Sequence, residues 1–165
     1  MNSSNLTFII GFMASGKSTF GKKLAKKKGC SFVDTDKLIE KEEGKTVSEI
    51  FEQYGEKYFR NLEKLALKRL IKQNKNQVIA TGGGMSCNQY NLNLMKHNGE
   101  VIYLKIDVKS VINRLKNAKN QRPILTNLSE KELETKIENL LNKRLKYYNQ
   151  AAVVVNSLEA KKWEG

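Results

Sequence analysis

Histidine, proline and cysteine are nearly missing from this chain, whose 165 residues include one His, one Pro and two Cys. The lone His97 has no second imidazole with which to build a ligand set. Cys30 and Cys87 lie far apart and match no metal spacing, so neither a structural zinc nor a disulfide is expected, and this cysteine usage suits a reducing compartment. Long apolar runs are absent too. No segment approaches the ~20 apolar residues of a membrane span, and the N-terminus carries no basic stretch followed by an apolar h-region. A cytoplasmic location with no membrane partner is the expectation. Asn2-Ser3-Ser4 and Asn5-Leu6-Thr7 match a glycosylation pattern, a match that is incidental in a cytoplasmic protein.

Acidic residues are also in short supply. Seventeen Asp and Glu face 30 Lys and Arg, giving a net charge of +13. Such a balance invites a nucleic-acid reading, because basic clusters attract phosphate backbones. Here, however, the lysines are scattered over every predicted helix with asparagines between them, and they form no stripe interleaved with aromatics. The expectation is therefore no nucleic-acid partner, and a basic surface that gathers small anionic substrates in a salt-screened manner.

What the chain does contain is GFMASGKST at residues 11–19, directly after the apolar run Leu6 to Ile10. A buried strand thus leads into a glycine-rich turn and then a helix, the proper context of a P-loop. Gly11 and Gly16 place no Cβ in the way, so successive backbone N–H groups, including those of Ala14 and Ser15, can turn toward phosphate oxygens. The helix that follows, opening with Lys17, Ser18 and Thr19, adds its positive N-terminal end. Lys17 has the reach for β- and γ-phosphates, and the Ser18 hydroxyl is placed to ligate Mg²⁺. The ligand expected is a nucleoside triphosphate.

The length suits one domain over residues 1–165, so the second substrate must be held by the same domain. Apolar runs bounded by turn signals fall at Leu6 to Ile10, Ser31 to Val33, Gln77 to Ala80, Val101 to Leu104 and Ala151 to Val155, with helical periodicity between most of them. This alternation predicts an α/β fold with a parallel sheet covered on both faces. Thr46 with Glu49, and Ser129 with Glu132, predict capping boxes. A helix from about Glu56 to Lys72 presents Phe59, Leu62, Ala66 and Leu70 on one face. The polar stretch Asn117 to Pro123 lacks any period and is a candidate mobile loop; an arginine, Arg122, stands beside the single proline, a position that suits a lid in phosphoryl transfer. No coiled-coil run or large apolar face forces association, and a monomer is expected.

Candidate acceptor residues follow. Asp34 and Asp36 end the second predicted strand, where the carboxyl ends of a parallel sheet line the ligand crevice. One carboxylate there can hold Mg²⁺ through water while the other accepts a hydroxyl proton. Arg60 and Glu63 share a helical face and by themselves read as an ordinary surface ion pair. Gly82, Gly83 and Gly84 end the third strand and permit close backbone approach or simply a flexible turn. Arg144, with Tyr148 one turn later, brings a further cation near the end of the last long helix.

In this order, GFMASGKST, the DTD of 34–36, the GEKYFR of 55–60, the TGGG of 81–84, the RPIL of 122–125 and Arg144 resemble the shikimate kinases, over about residues 6–157. The resemblance implies a three-layer P-loop kinase fold like that of the nucleoside monophosphate kinases, with a five-stranded parallel sheet in order 2-3-1-4-5. It also implies substrate-binding helices at about 37–72 and a lid at about 114–127 of the chain. It implies transfer of the ATP γ-phosphate to the 3-hydroxyl of shikimate. Asp36 is then the base and the holder of acceptor hydroxyls, and Asp34 sits near the metal. Arg60 and Arg144 clamp the carboxylate, the Gly82 to Gly84 backbone lines the same pocket, and Arg122 closes onto the transferring phosphate. Arg114 is the nearest candidate for the arginine that packs on adenine, and the adenine loop follows Val155 at about Asn156 and Ser157. Ala14 stands where the family often has glycine; if a positive φ is required there, alanine strains the loop and weakens nucleotide binding. On residues alone two rivals stay open: a small P-loop kinase acting on gluconate or a nucleoside monophosphate, and a basic ATP-binding module that recruits nucleic acid.

Overall fold

The computed structural model describes residues 5–118 and 127–160. Its centre is β1 (Leu6–Ile10), in which all five residues are buried. A strand buried on both faces must pair on both edges, and β1 does. It runs parallel to β3 (Gln77–Ala80) with Leu6 opposite Gln77, and to β4 (Gly99–Lys105) with Leu6 opposite Gly99. Outside these lie β2 (Ser31–Asp34) against β3 and β5 (Val153–Asn156) against β4, which gives the order β2-β3-β1-β4-β5. The expected topology is therefore the observed one. Strand ends shift slightly from the sequence reading: β4 extends back to Gly99 because that residue pairs with Leu6, and β5 begins only at Val153, opposite Ile102.

Period-two alternation divides the side chains between two apolar layers. On one side Ile9, Val78, Ile102 and Leu104 pack against Phe20, Leu24 and Ala25 of α1 (Lys17–Lys28) and Ala160 of α7 (Ser157–Ala160). On the other, Phe8, Ile10 and Tyr103 meet α3 (Val47–Lys72), α4 (Gln89–Asn98), α5 (Val108–Asn117) and α6 (Glu130–Tyr148) through residues such as Leu67, Met95, Val111 and Ile137. Burying each such side chain contributes roughly 1.5–3 kcal/mol before the entropy of ordering it is subtracted. A smaller cluster of Ile39, Ile50, Phe59 and Ala66 joins α2 (Thr35–Glu43) to α3.

Both predicted capping boxes form. Thr46 accepts from the Glu49 backbone while Glu49 reaches back to Thr46, and Ser129 and Glu132 do the same for α6. Gly55, at φ 80° and ψ 172°, breaks α3, so the segment starting at Glu56 takes its own direction. That break lets the apolar face with Phe59 and Ala66 lie on α2 while Arg60 and Glu63 turn toward the ends of the strands.

The register at Leu6 leaves no room beside Gly99. A Cβ there would sit 2.3 Å from the Leu6 carbonyl oxygen, a backbone atom of the neighbouring strand. Gly99→Ala is expected to lower the unfolding free energy by about 1–3 kcal/mol in urea titration, the scale of overpacking strain. An unchanged midpoint would mean that the β1–β4 spacing relaxes freely.

Candidate active site

All five parallel strands end on one edge of the sheet, and the loops that leave them meet there. The first is the P-loop. Gly11 takes φ 150°, and an added Cβ would lie 2.6 Å from the Leu104 carbonyl oxygen, so the chain can leave β1 this way only as glycine. Gly16, at φ 89°, precedes α1 with no side-chain cap, and the first turn of that helix carries no acidic residue. The positive end of α1 therefore faces the loop with no acid of its own first turn to offset it, the condition for holding an anion. Lys17 folds back over the loop: its Nζ donates to the carbonyls of Gly11 at 2.9 Å and Phe12 at 2.8 Å. Ala14 has φ 59°, so the positive φ considered for that position is present.

Two distant segments brace the same loop. Ser157 donates its hydroxyl to the Ser15 carbonyl at 2.6 Å, which brings the turn after β5 to the P-loop. Arg114, in the last turn of α5, donates from Nη1 to the Ala14 carbonyl at 2.7 Å. Thr19 lies exposed on α1. Arg122 and most of the expected lid lie outside the described residues; Arg114 to Asn117 are helical.

The second loop follows β2. Asp34 caps α2, accepting the Lys37 backbone N–H at 3.1 Å, and its other oxygen accepts the Ser18 hydroxyl. Ser18 and Asp34 thus present two oxygen donors side by side at the start of α1, a donor set suited to a hard divalent cation. Asp36 stands two residues further on, against the third loop: a Cβ on Gly82 would lie 2.6 Å from Asp36 Oδ1 and 3.0 Å from Glu63 Oε1. Thr35 secures this contact by accepting the Gly82 N–H at 2.9 Å.

Cations arrive from α3 and α6. Arg60 is held between Glu56, at 3.1 Å, and Glu63, at 2.7 Å, and its guanidinium nitrogens would lie 2.6 and 2.7 Å from a Cβ on Gly84. Arg144 donates from Nη1 to the Gly83 carbonyl at 3.3 Å and lies over the Phe12 ring, 5.5 Å from its centroid. The glycine triplet therefore has a distinct neighbour at each position: Asp36 at Gly82, Arg144 at Gly83 and Arg60 at Gly84. The approaches at Gly82 and Gly84 need the missing Cβ, whereas a Cβ on Gly83 would meet Arg144 Nη1 at 3.6 Å, an ordinary contact.

Glu63 is the main correction. Read as half of a surface pair, it is in fact only 1 % exposed. Burial raises its pKa to about 7, against the opposing pull of Arg60 and with the help of the nearby Asp36 charge. Tyr148, which the sequence marks only by its spacing from Arg144, is fully buried and donates its hydroxyl to the Gly83 carbonyl at 2.7 Å. Helical periodicity puts both residues on inward faces, but which polar group waits there is not written in a period.

Comparison with known proteins decides what this arrangement serves. A family profile described as shikimate kinase matches residues 13–163. The chain belongs to the shikimate kinase family. It is 44 % identical to the shikimate kinase of Sulfurihydrogenibium sp. (strain YO3AOP1), covering 91 % of this chain and 86 % of that protein. The same identity relates it to the shikimate kinase of Persephonella marina, over 91 % of this chain and 87 % of the relative. The crystal structure of the Bacteroides thetaiotaomicron shikimate kinase superposes with a TM-score of 0.87 at 38 % identity, covering 93 % of this chain and 86 % of that one. That of the Acinetobacter baumannii shikimate kinase in complex with shikimate gives a TM-score of 0.85 at 33 % identity, covering 98 % and 91 %.

The kinase thus uses ATP to phosphorylate shikimate, and this step serves the biosynthesis of aromatic amino acids. The rivals of the sequence reading fare differently. A gluconokinase from Sinorhizobium meliloti 1021 at 15 % identity (TM-score 0.52) and a deoxyadenosine kinase from M. mycoides at 19 % (TM-score 0.57) share the fold alone.

Two predictions follow from the geometry. Alanine in the left-handed region costs about 1–2 kcal/mol. Ala14→Gly should therefore raise the unfolding free energy by about 0.5–1 kcal/mol and lower KM for ATP; a loss in both would mean that the loop is not strained. For Glu63 the folded pKa of about 7 exceeds the ordinary 4.5, so the folded state binds the extra proton between those values. Its contribution is complete below pH 4.5 and is lost as pH rises through about 7. Glu63→Gln, which cannot titrate, should gain on the wild type across that window by up to roughly 3 kcal/mol in urea titrations. Parallel pH profiles for the two proteins would refute a raised pKa.

Proposed function

We propose that the residues gathered at the carboxyl edge of the sheet divide the transfer to the shikimate 3-hydroxyl as follows. ATP lies with its phosphates in the loop from Gly11 to Thr19, which supplies backbone N–H groups and the positive end of α1. Lys17 exchanges its loop carbonyls for phosphate oxygens. Arg114 packs toward the adenine beside the turn at Asn156 and Ser157. Ser18 and Asp34 hold Mg²⁺, which when bound offsets phosphate charge. Asp36 orients the acceptor hydroxyl and takes its proton as the oxygen forms its bond to the γ-phosphorus and ADP leaves. Arg60 and Arg144 bind the carboxylate, with the backbone of Gly82 to Gly84 lining the same pocket. Arg122 closes onto the transferring phosphate, where charge develops.

The observation that carries this reading is the convergence of two guanidinium groups and one aspartate on three successive glycines, beside the P-loop. A carboxylate with neighbouring hydroxyls is the small molecule complementary to that set, since guanidinium matches carboxylate geometry and aspartate accepts hydroxyl protons. The pairing of Arg60 with Glu63 supports it further, because a buried acid keeps the guanidinium in place before the substrate arrives. In the same proposal the enzyme acts as a cytoplasmic monomer without a nucleic-acid or membrane partner, a reading that rests on the scattered basic charge and the lack of a coiled-coil run in the sequence. Among the described residues no helix is long and apolar enough to cross a membrane.

Coupled ADP-release assays with shikimate, gluconate and nucleoside monophosphates test the acceptor. Steady-state kinetics of variants test the roles. Losing a charge-assisted, partly buried contact typically costs ~2–3 kcal/mol, so Arg60→Ala and Arg144→Ala should each raise KM for shikimate roughly 30- to 150-fold while KM for ATP moves far less. Because both would hold one anion, the double variant should depart from additivity. Equal effects on the two substrates would remove these arginines from carboxylate binding.

A further inference from the structure

The Gly83 carbonyl has more donors around it than a turn glycine needs. Its oxygen accepts the Tyr148 hydroxyl at 2.7 Å and Arg144 Nη1 at 3.3 Å, with Cys87 Sγ at 3.8 Å. These three are unequal. An O–H···O contact of 2.7 Å is at the optimum, whereas 3.3 Å is long for N–H···O. Tyr148 is fully buried, and its ring stacks on Tyr103 with centroids 5.0 Å apart and planes 23° apart; Arg144 and Cys87 are the other side chains within hydrogen-bonding reach of its hydroxyl. Burial pushes its hydroxyl pKa far up, so it remains a donor at any working pH. Arg144 is only partly buried and rests on the Phe12 ring, with further N–H groups to offer a ligand.

Peptide planarity extends the reach of the tyrosine. In a trans peptide the C=O of Gly83 and the N–H of Gly84 point in opposite directions within one plane, and no cis bond occurs among the described residues. Three glycines in succession have no Cβ to narrow their φ and ψ. Backbone bonds from Met85 N–H to the Gly82 carbonyl at 3.1 Å and from Cys87 N–H to the Gly84 carbonyl at 3.0 Å close the turn locally, while Thr35 at the Gly82 N–H and Tyr148 at the Gly83 carbonyl hold the peptide between them from outside. Holding that carbonyl aims the Gly84 N–H and keeps Gly84 against the Arg60 guanidinium.

We propose that Tyr148 is a positioning residue for the acceptor site, whose hydroxyl clamps the Gly83 carbonyl so that the glycine turn keeps its shape when Arg144 moves from that carbonyl to the acceptor carboxylate. The inference rests on the reading of Arg144 as a carboxylate ligand. Tyr148 does not touch the substrate; it acts through Gly83. The strong, immobile donor stays while the weak, mobile one leaves. Without the hydroxyl, Arg144 is the stronger of the two remaining donors to a partly buried oxygen, and binding the carboxylate would cost that oxygen its main protein partner.

Tyr148→Phe keeps the ring and its stacking on Tyr103 and deletes only the donor. KM for shikimate is expected to rise about five- to twenty-fold, with kcat within about threefold and KM for ATP within about twofold of wild type. Calorimetric titration of shikimate into the variant should show the same loss of affinity, and its stoichiometry reports the folded fraction. Arg144→Ala is measured alongside. If Arg144→Ala raises KM for shikimate and Tyr148→Phe does not, this inference falls and the carboxylate reading stands. If neither variant changes that KM, the carboxylate reading falls and takes this one with it. If Tyr148→Phe raises both KM values together and lowers Tm, the hydroxyl serves folding alone and the positioning role is overturned.

Discussion

The parallel pairing of β1 with β3 on one side and β4 on the other is the constraint on which the rest depends. Parallel strands share a direction, so every loop that leaves a carboxyl end leaves on the same edge. With Ile9 opposite both Ala80 and Ile102, the P-loop, the glycine triplet and the exit of β4 start at nearly one level. Gly11 then passes within van der Waals distance of the Leu104 carbonyl, and Gly83 comes close to the Met13 backbone. A one-residue slip in either pairing would turn Phe8 and Ile10 to the wrong layer and separate these loops. The nucleotide loop and the acceptor loop are thus two outcomes of one register.

Charge at the acceptor side is arranged around the same triplet. Glu63 is buried beside Asp36, and two carboxylates so close resist ionising together. Arg60 offsets part of that cost from one side and Arg144 from the other, and both appear among the influences that lower the Glu63 pKa. Removing a partner from such a set leaves a buried charge uncompensated, which costs more than the pair contributes net. The same cations that steady the free protein are those assigned to the carboxylate, so the charges of the site are gathered before any substrate enters and the binding step has only to redirect them.

How much of this was legible in the sequence varies by feature for physical reasons. The P-loop was legible because its requirements are local: glycines at fixed offsets, then Lys17 and Ser18, after an apolar run. Both capping boxes were legible for the same reason, as each spans four residues. Edge strands were less so. The apolar run suggests a β5 starting at Ala151, but its start is set by the pairing of Val153 with Ile102, a partner nearly a third of the chain away. Arg60, Arg144 and the glycine triplet were each weak signals alone, and only their order, matched against a family, joined them into one site.

The amino-acid sequence by itself determined the alternation of strands and helices, the phosphate loop and the family, since all of these are written in short-range patterns and motif order. Tertiary structure alone decided that Glu63 is an interior acid, because a helical period says which face is inward but not that a second carboxylate waits at Gly82. It alone decided that Tyr148 anchors the glycine turn, because the hydroxyl and the carbonyl it holds are 65 positions apart. It also decided that the position of Ala14 demands a left-handed backbone. Such facts depend on what two distant segments place within 3 Å of each other, and that distance exists only once the strands have paired.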